Sequence, residues 1–172
     1  PAGLLTLHGV ETQDVVAAPG QAEAALLRAL DEAAIVVAAE LAGVAREALA
    51  MTIRYMKTRV AFGRPIANFQ ALQHRLADLA VHQDLAGAVL QAALATADAA
   101  PDAPALRLAA GRAKARCSEA AVEITRGAVQ LHGGIGFTDE CDIGLYFKRA
   151  AVLAAWLGNT AAQHARLEQD VR

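Results

Sequence analysis

Aromatic side chains are scarce in this sequence: one Trp, two Tyr and four Phe among 172 residues. Strands draw on aromatic and β-branched residues, so the shortage argues against a sheet-rich core. The abundance of Ala and Leu argues for helices instead. Cysteine is as scarce. Cys117 and Cys141 cannot make a disulfide framework, and Cys117 falls on an apolar helical stripe as a small core residue. A reducing, cytoplasmic setting is expected. Charge of one sign is lacking too. A formal net charge of -2 provides no footprint for nucleic acid or an anionic membrane. No apolar run reaches the length of a membrane span, and no signal peptide is visible. The chain opens on Pro1, not Met, so a processed chain or a fragment is expected. Its length suits one domain with a sizeable core.

The usual marks of several chemistries are also missing. None of His8, His74, His82, His132 and His164 pairs with His, Cys or a carboxylate at metal-ligand spacing, so no metal site is expected. His74 and His82 stand too far apart on one helix for one ion and read as polar-face residues. Ser118 is the only serine, and no nucleophile elbow surrounds it. There is no Walker sequence. Gly133-Gly134-Ile135-Gly136 follows a helix rather than a strand, so it is no Rossmann fingerprint.

What remains is helical periodicity. Residues Leu4 to Val16 are the one strand-like part: Leu5-Thr6-Leu7 and Val15-Val16 flank a polar turn, ended by Ala17-Ala18-Pro19-Gly20. From Gln21 to about Arg59 the chain is helical in composition, with a break possible but not forced between Leu30 and Ala34. Arg59 to Ile66 is a loop, because Gly63 and Pro65 are costly inside a helix. Asn68 is a candidate N-cap for a second helix whose seam runs Phe69, Leu72, Leu76, Leu79, Ala86, Leu90 and Ala93, interrupted by Gln83. Asp102 caps a third helix, with Pro104 in its first turn. That helix aligns Leu106, Ala109, Ala113, Cys117, Ala120, Ile124, Ala128 and Leu131. Ile143 to Leu157 forms a short helix, Gly158-Asn159 a break, and Thr160 to Val171 a last helix. The expected fold is all-α, an antiparallel up-and-down helical bundle with a short β-remnant at its N-terminus. Small residues on facing stripes let its helices approach closely.

Two stretches stand apart from this packing pattern. Gln130-Leu131-His132-Gly133-Gly134-Ile135-Gly136-Phe137 ends the third helix. Its glycines read either as a C-cap and turn or as a helix end that lets a ligand approach the main chain. Arg54, Lys57 and Arg59 make a basic helix end, which suits the helix dipole or a ligand. Arg59 then opens Arg59-Val60-Ala61-Phe62-Gly63-Arg64-Pro65-Ile66, with Phe69-Gln70 beyond. Together the two stretches resemble the C-terminal domain of the acyl-CoA dehydrogenase family, which carries R-x-x-F-G-x-P-I-x-x-x-Q and Q-x-x-G-G-x-G-[YF] at this separation. The resemblance covers nearly the whole chain.

The resemblance implies a boundary: residues 1–19 as the end of a middle β-domain and linker, residues 20–172 as the C-terminal helical domain. It implies FAD held at a subunit interface, with Arg59, Phe62, Gln70, Gln130, Gly133 and Gly134 as contacts. Ala61 and Phe69 depart from the polar residues often found there. In the isolated chain flavin binding should be weak or absent. Homo- or hetero-oligomers with acyl-CoA dehydrogenase-like subunits are implied, with acyl-CoA as substrate of the full assembly. The family's reaction takes an α-proton with a carboxylate while a β-hydride goes to the flavin. The usual Glu positions do not match: Leu157 stands at one and Ala33 at the other, where Ala34 also replaces an Arg. Glu32, one residue away, is turned about a hundred degrees around the helix and is a weak candidate base. The implied function is therefore a part of an acyl-CoA dehydrogenase-like flavoprotein that lacks its own base. A divergent flavin monooxygenase-type member, or a non-enzymatic helical assembly module, is the alternative.

Overall fold

The structure, a computed structural model, describes residues 4–11, 14–15, 17–18, 20–99 and 102–170. It is a bundle of long helices: α1 (Gln21–Thr58), α2 (Gln70–Asp98), α3 (Ala103–His132), α4 (Ile143–Ala155) and α5 (Thr160–Asp170). The possible break in α1 does not occur, and its 38 residues run as one helix. With no Pro among those residues, every amide can take part in the hydrogen-bond ladder, and the single Gly43 does not break it.

Helix α3 is the central element. It packs on every other helix, most extensively on α1 and α2. The expected stripe faces inward, with Ala113, Cys117, Ala120, Ile124 and Ala128 completely buried. Ala38, Ala45 and Ala48 of α1 are equally inaccessible. Methyl against methyl brings two helix backbones close, so packing density here comes from proximity rather than from large side chains. The hydroxyls within the seam are satisfied locally: Thr52 donates to the Ala48 carbonyl and Thr125 to that of Ala121, each at 2.7 Å.

The start of α3 matches expectation. Asp102 is the N-cap, and its Oδ1 accepts from the Ala105 amide at 3.0 Å. The start of α2 does not. Its N-cap is Phe69, extended at φ -91°, with no side-chain capping bond, while Asn68 ends a short 3₁₀ turn. Phe69 is in place because its ring is engaged on the hairpin described below. On α2 only Leu79, Ala86 and Ala93 of the expected seam are buried, and Val81, Leu85 and Leu94 are exposed.

The strand expected between Leu4 and Val16 is not formed among the described residues. They are irregular, and Leu4, Leu5 and Leu7 are exposed. A strand needs a neighbour to satisfy its ladder, and this segment has none within the described residues. The strands that are described form a small antiparallel hairpin in the loop expected after α1: β1 (Val60–Ala61) and β2 (Arg64–Pro65), paired Val60 to Pro65 and Ala61 to Arg64.

Helix α4 runs antiparallel to α3 but stops at Ala155, two residues before the expected end. Helix α5 does not turn back. His164 lies 3.5 Å from Glu119, and Leu167 lies against Gly111, so α5 continues down α3 in the direction of α4. Arg166 closes the bundle by an ion pair of 2.5 Å with the buried Asp31 of α1.

Candidate functional site

The hairpin after α1 is a stiff, exposed projection. The Ile66 amide donates to the Arg59 carbonyl at 2.8 Å and closes its base. At its tip Phe62 has φ 52° and Gly63 φ 76°. Glycine tolerates that region, whereas a phenylalanine there is strained by roughly 1–2 kcal/mol. Even so, Phe62 is 95% exposed. It meets the edge of Phe69 at a centroid distance of 6.1 Å, and the Arg64 guanidinium stacks over the Phe69 ring at 4.2 Å. Phe69 thus serves as the platform of the hairpin, which accounts for an apolar residue at that position.

The glycine-rich end of α3 divides its glycines between two tasks. Gly133 is the C-cap, with φ 66°. Gly136 is buried, and a Cβ there would lie 2.7 Å from the Val129 carbonyl oxygen, so only glycine fits. Gly134 has neither constraint. A Cβ on Gly133 or Gly134 would meet nothing within 4 Å, so the main chain there faces open space.

Tertiary packing brings the two stretches to one end of the bundle. The Tyr55 ring stacks on His132 at 4.5 Å, and its hydroxyl donates to the His132 carbonyl at 3.2 Å, across 77 positions of sequence. This joins the C-terminal ends of α1 and α3, and the hairpin leads directly into α2. Arg59, Phe62 and Gln70 therefore share that end with Gln130, Gly133 and Gly134. Arg59, Gln70 and Gln130 are exposed, and their side chains have no partner among the described residues. An unpaired guanidinium, two unused amides and bare backbone fit a ligand bearing phosphate and hydroxyl groups. Beside them lies a cleft of about 800 Å³ between α2, α3 and α4, with Leu79, Gln130, Phe137, Asp142, Phe147 and Lys148 among its walls. Only Gln130 of the expected contacts lines it. The cleft was not legible in the sequence, because three helices build it.

A family model described as "Acyl-CoA dehydrogenase, C-terminal domain" matches residues 23–171. The chain belongs to the acyl-CoA dehydrogenase family of flavoprotein oxidoreductases. Acyl-CoA dehydrogenase IpdE2 of Mycobacterium tuberculosis is 44% identical over 98% of this chain and 48% of its own length. The chain thus spans about half the length of that relative. The fold superposes on the Tcur3481-Tcur3483 steroid ACAD with a TM-score of 0.81 and 34% identity, covering 86% of this chain and 40% of that one. The ChsE4-ChsE5 complex from Mycobacterium tuberculosis gives a TM-score of 0.77 and 27% identity, covering 83% and 38%. No described helix is long and apolar enough to cross a membrane.

The structure also places the residues at the positions where the resemblance led one to expect a Glu. Leu157 follows the end of α4 with φ 57°, and Gly158 has φ 92°. Leu157 is half-buried and packs on the core. Ala33 is half-buried in α1. Glu32 is exposed, paired with Arg28 at 3.0 Å, and is not part of the cleft wall. Sequence reasoning missed Lys114, which sits inside the apolar stripe of α3 and is fully buried. Its Nζ donates to Ser118 Oγ, to the Ala154 carbonyl and to the Gly158 carbonyl, each at 3.1 Å. Burial lowers its pKa from the ordinary lysine value, opposed by the neighbouring Cys117. Burial pushes the Cys117 thiol up to about 11, opposed by Arg116 and Lys114. The one signal in the sequence was a lysine between Ala113 and Ala115 on the inward face.

Proposed function

We propose that this chain is the cofactor-contacting, C-terminal part of an acyl-CoA dehydrogenase subunit that does not supply the catalytic base, and that a partner subunit supplies it. The observation that carries this reading is Leu157. It occupies the turn where the family places a Glu, and an alkyl side chain cannot accept a proton. The α-proton of a thioester is only weakly acidic, and a positioned base contributes roughly 10²–10⁴-fold to its removal. Ala33 cannot replace that base, and Glu32 is already paired with Arg28 at the surface.

The residues present fit FAD. Arg59 would hold pyrophosphate oxygens through a planar, permanently charged fork. Gln70 and Gln130 would donate to its polar groups, Phe62 would offer an apolar face, and Gly133 and Gly134 would let it approach the backbone. When bound, the flavin accepts the hydride of the oxidation. Residues 1–19 fit the end of a preceding β-domain, whose strands would pair the exposed Leu5 and Leu7. In the isolated 172-residue chain flavin should bind weakly or not at all. The names of two structural relatives, each joining two proteins, support a heteromeric assembly, and one of them names a steroid substrate class. A cytoplasmic setting is part of the same proposal.

The test is anaerobic flavin bleaching with a panel of acyl-CoA esters, run on the full-length protein alone and co-expressed with an acyl-CoA dehydrogenase-like subunit that carries the Glu. Bleaching is expected only with the partner. Rapid bleaching of the homomeric protein would overturn the reading and make Glu32 the first residue to examine.

A further inference from the structure

A lysine ammonium has three donors, and Lys114 spends each on a different acceptor. Only Ser118 belongs to its own helix. Ala154 lies in the last turn of α4, whose terminal carbonyls lack partners within the helix, and Gly158 opens the segment leading to α5. The two carbonyls bracket Leu157. The rest of the turn is tied as well: Gln163 Nε2 donates to the Leu157 carbonyl at 2.7 Å, and Asn159 Oδ1 accepts from the Ala162 amide at 2.9 Å. Leu157 remains left-handed at φ 57°, a conformation that leucine resists. An isolated turn of this sequence would relax, so something must oppose the relaxation.

We propose that Lys114 is the positioning residue for position 157. By bridging the Ala154 and Gly158 carbonyls it fixes the turn between α4 and α5 and holds residue 157 left-handed, so that any side chain there, alkyl or carboxylate, is aimed the same way. The importance of that position rests on the proposed function. The clamp itself does not, and its test reads neither flavin nor turnover.

The experiment is hydrogen exchange on the full-length protein, comparing wild type, Lys114→Met, Leu157→Gly and the double variant. Glycine adopts positive φ without strain, so a turn with glycine at 157 needs no clamp. Lys114→Met should speed exchange of the amides between Trp156 and Gln163 about tenfold in the wild-type background, and less than about threefold when 157 is glycine. A buried lysine that served packing alone would give the same ratio in both backgrounds, and that outcome overturns the proposal. So does unchanged exchange in Lys114→Met. If Lys114→Met does not fold, Lys114→Gln, a shorter side chain with two donors, is read in the same cycle.

Discussion

Phe62 and Leu157 share an unusual property. Both are bulky residues with positive φ, and both precede a glycine that also has positive φ. Backbone strain of this kind survives only where the surroundings over-determine it. At Phe62 the support is the Phe69–Arg64 stack, and at Leu157 it is the Lys114 bridge. Beside the first of these sites, if Arg59 holds the flavin as proposed, Arg59→Ala would remove a charge-assisted bond of roughly 1.5–3 kcal/mol, and the purified full-length protein should carry less flavin. Unchanged absorbance at flavin wavelengths would contradict its assignment. The glycines separate in the same way. Gly136→Ala forces a Cβ against a carbonyl and should destabilise by about 1–3 kcal/mol in a denaturant titration. Gly134→Ala should stay within about 0.5 kcal/mol of wild type, while lowering flavin content. For the cysteines, Cys141 should react with a thiol reagent at pH 8 and the buried Cys117 should not. Folding keeps the Cys117 proton from the ordinary value of 9.0 up to about 11. The folded state therefore binds more protons in that window, and this thiol's contribution to stability is lost as pH rises through it.

Among the elements, α3 and α2 behave differently although both read as helices. The apolar stripe of α3 is covered on one side by α1 and on the other by α2, so each of its small residues is committed. Ala120→Leu should cost about 1–3 kcal/mol through overpacking, seen as a lower thermal midpoint. Asp102→Ala should cost about 1 kcal/mol by removing the capping bond to Ala105. Both expectations were open to sequence reading, since a period of 3.6 and a cap with proline behind it are local signals. The cap of α2 was misread for the opposite reason. Phe69 is held by Arg64 and Phe62 across the hairpin, and no local propensity announces that contact.

In the molecule taken together, α2 leaves Val81, Leu85 and Leu94 exposed, and α4 leaves Leu145 and Val152 exposed, with Trp156 exposed just beyond its end. Apolar surface on two helices of one small domain suits burial in a larger assembly. The full-length protein should therefore sediment as a dimer or tetramer, and a monomer at micromolar concentration would count against the interface reading. Within the chain, Arg166 and Asp31 fasten the last helix to the first across 135 positions. Asp31 carries no sign in the sequence that distinguishes it from its neighbour Glu32, yet one is buried and the other exposed.

The helices, the close alanine seam and the glycine turn were legible in the chain itself, because periodicity and capping are properties of short stretches. That the Arg59 hairpin and the Gly133 turn share one end of the bundle became visible only in three dimensions, since it rests on Tyr55 meeting His132 from another helix. The burial of Lys114 became visible in the same way. A lysine goes inside only when acceptors converge on it, and two of its three come from the far end of α4 and the turn beyond.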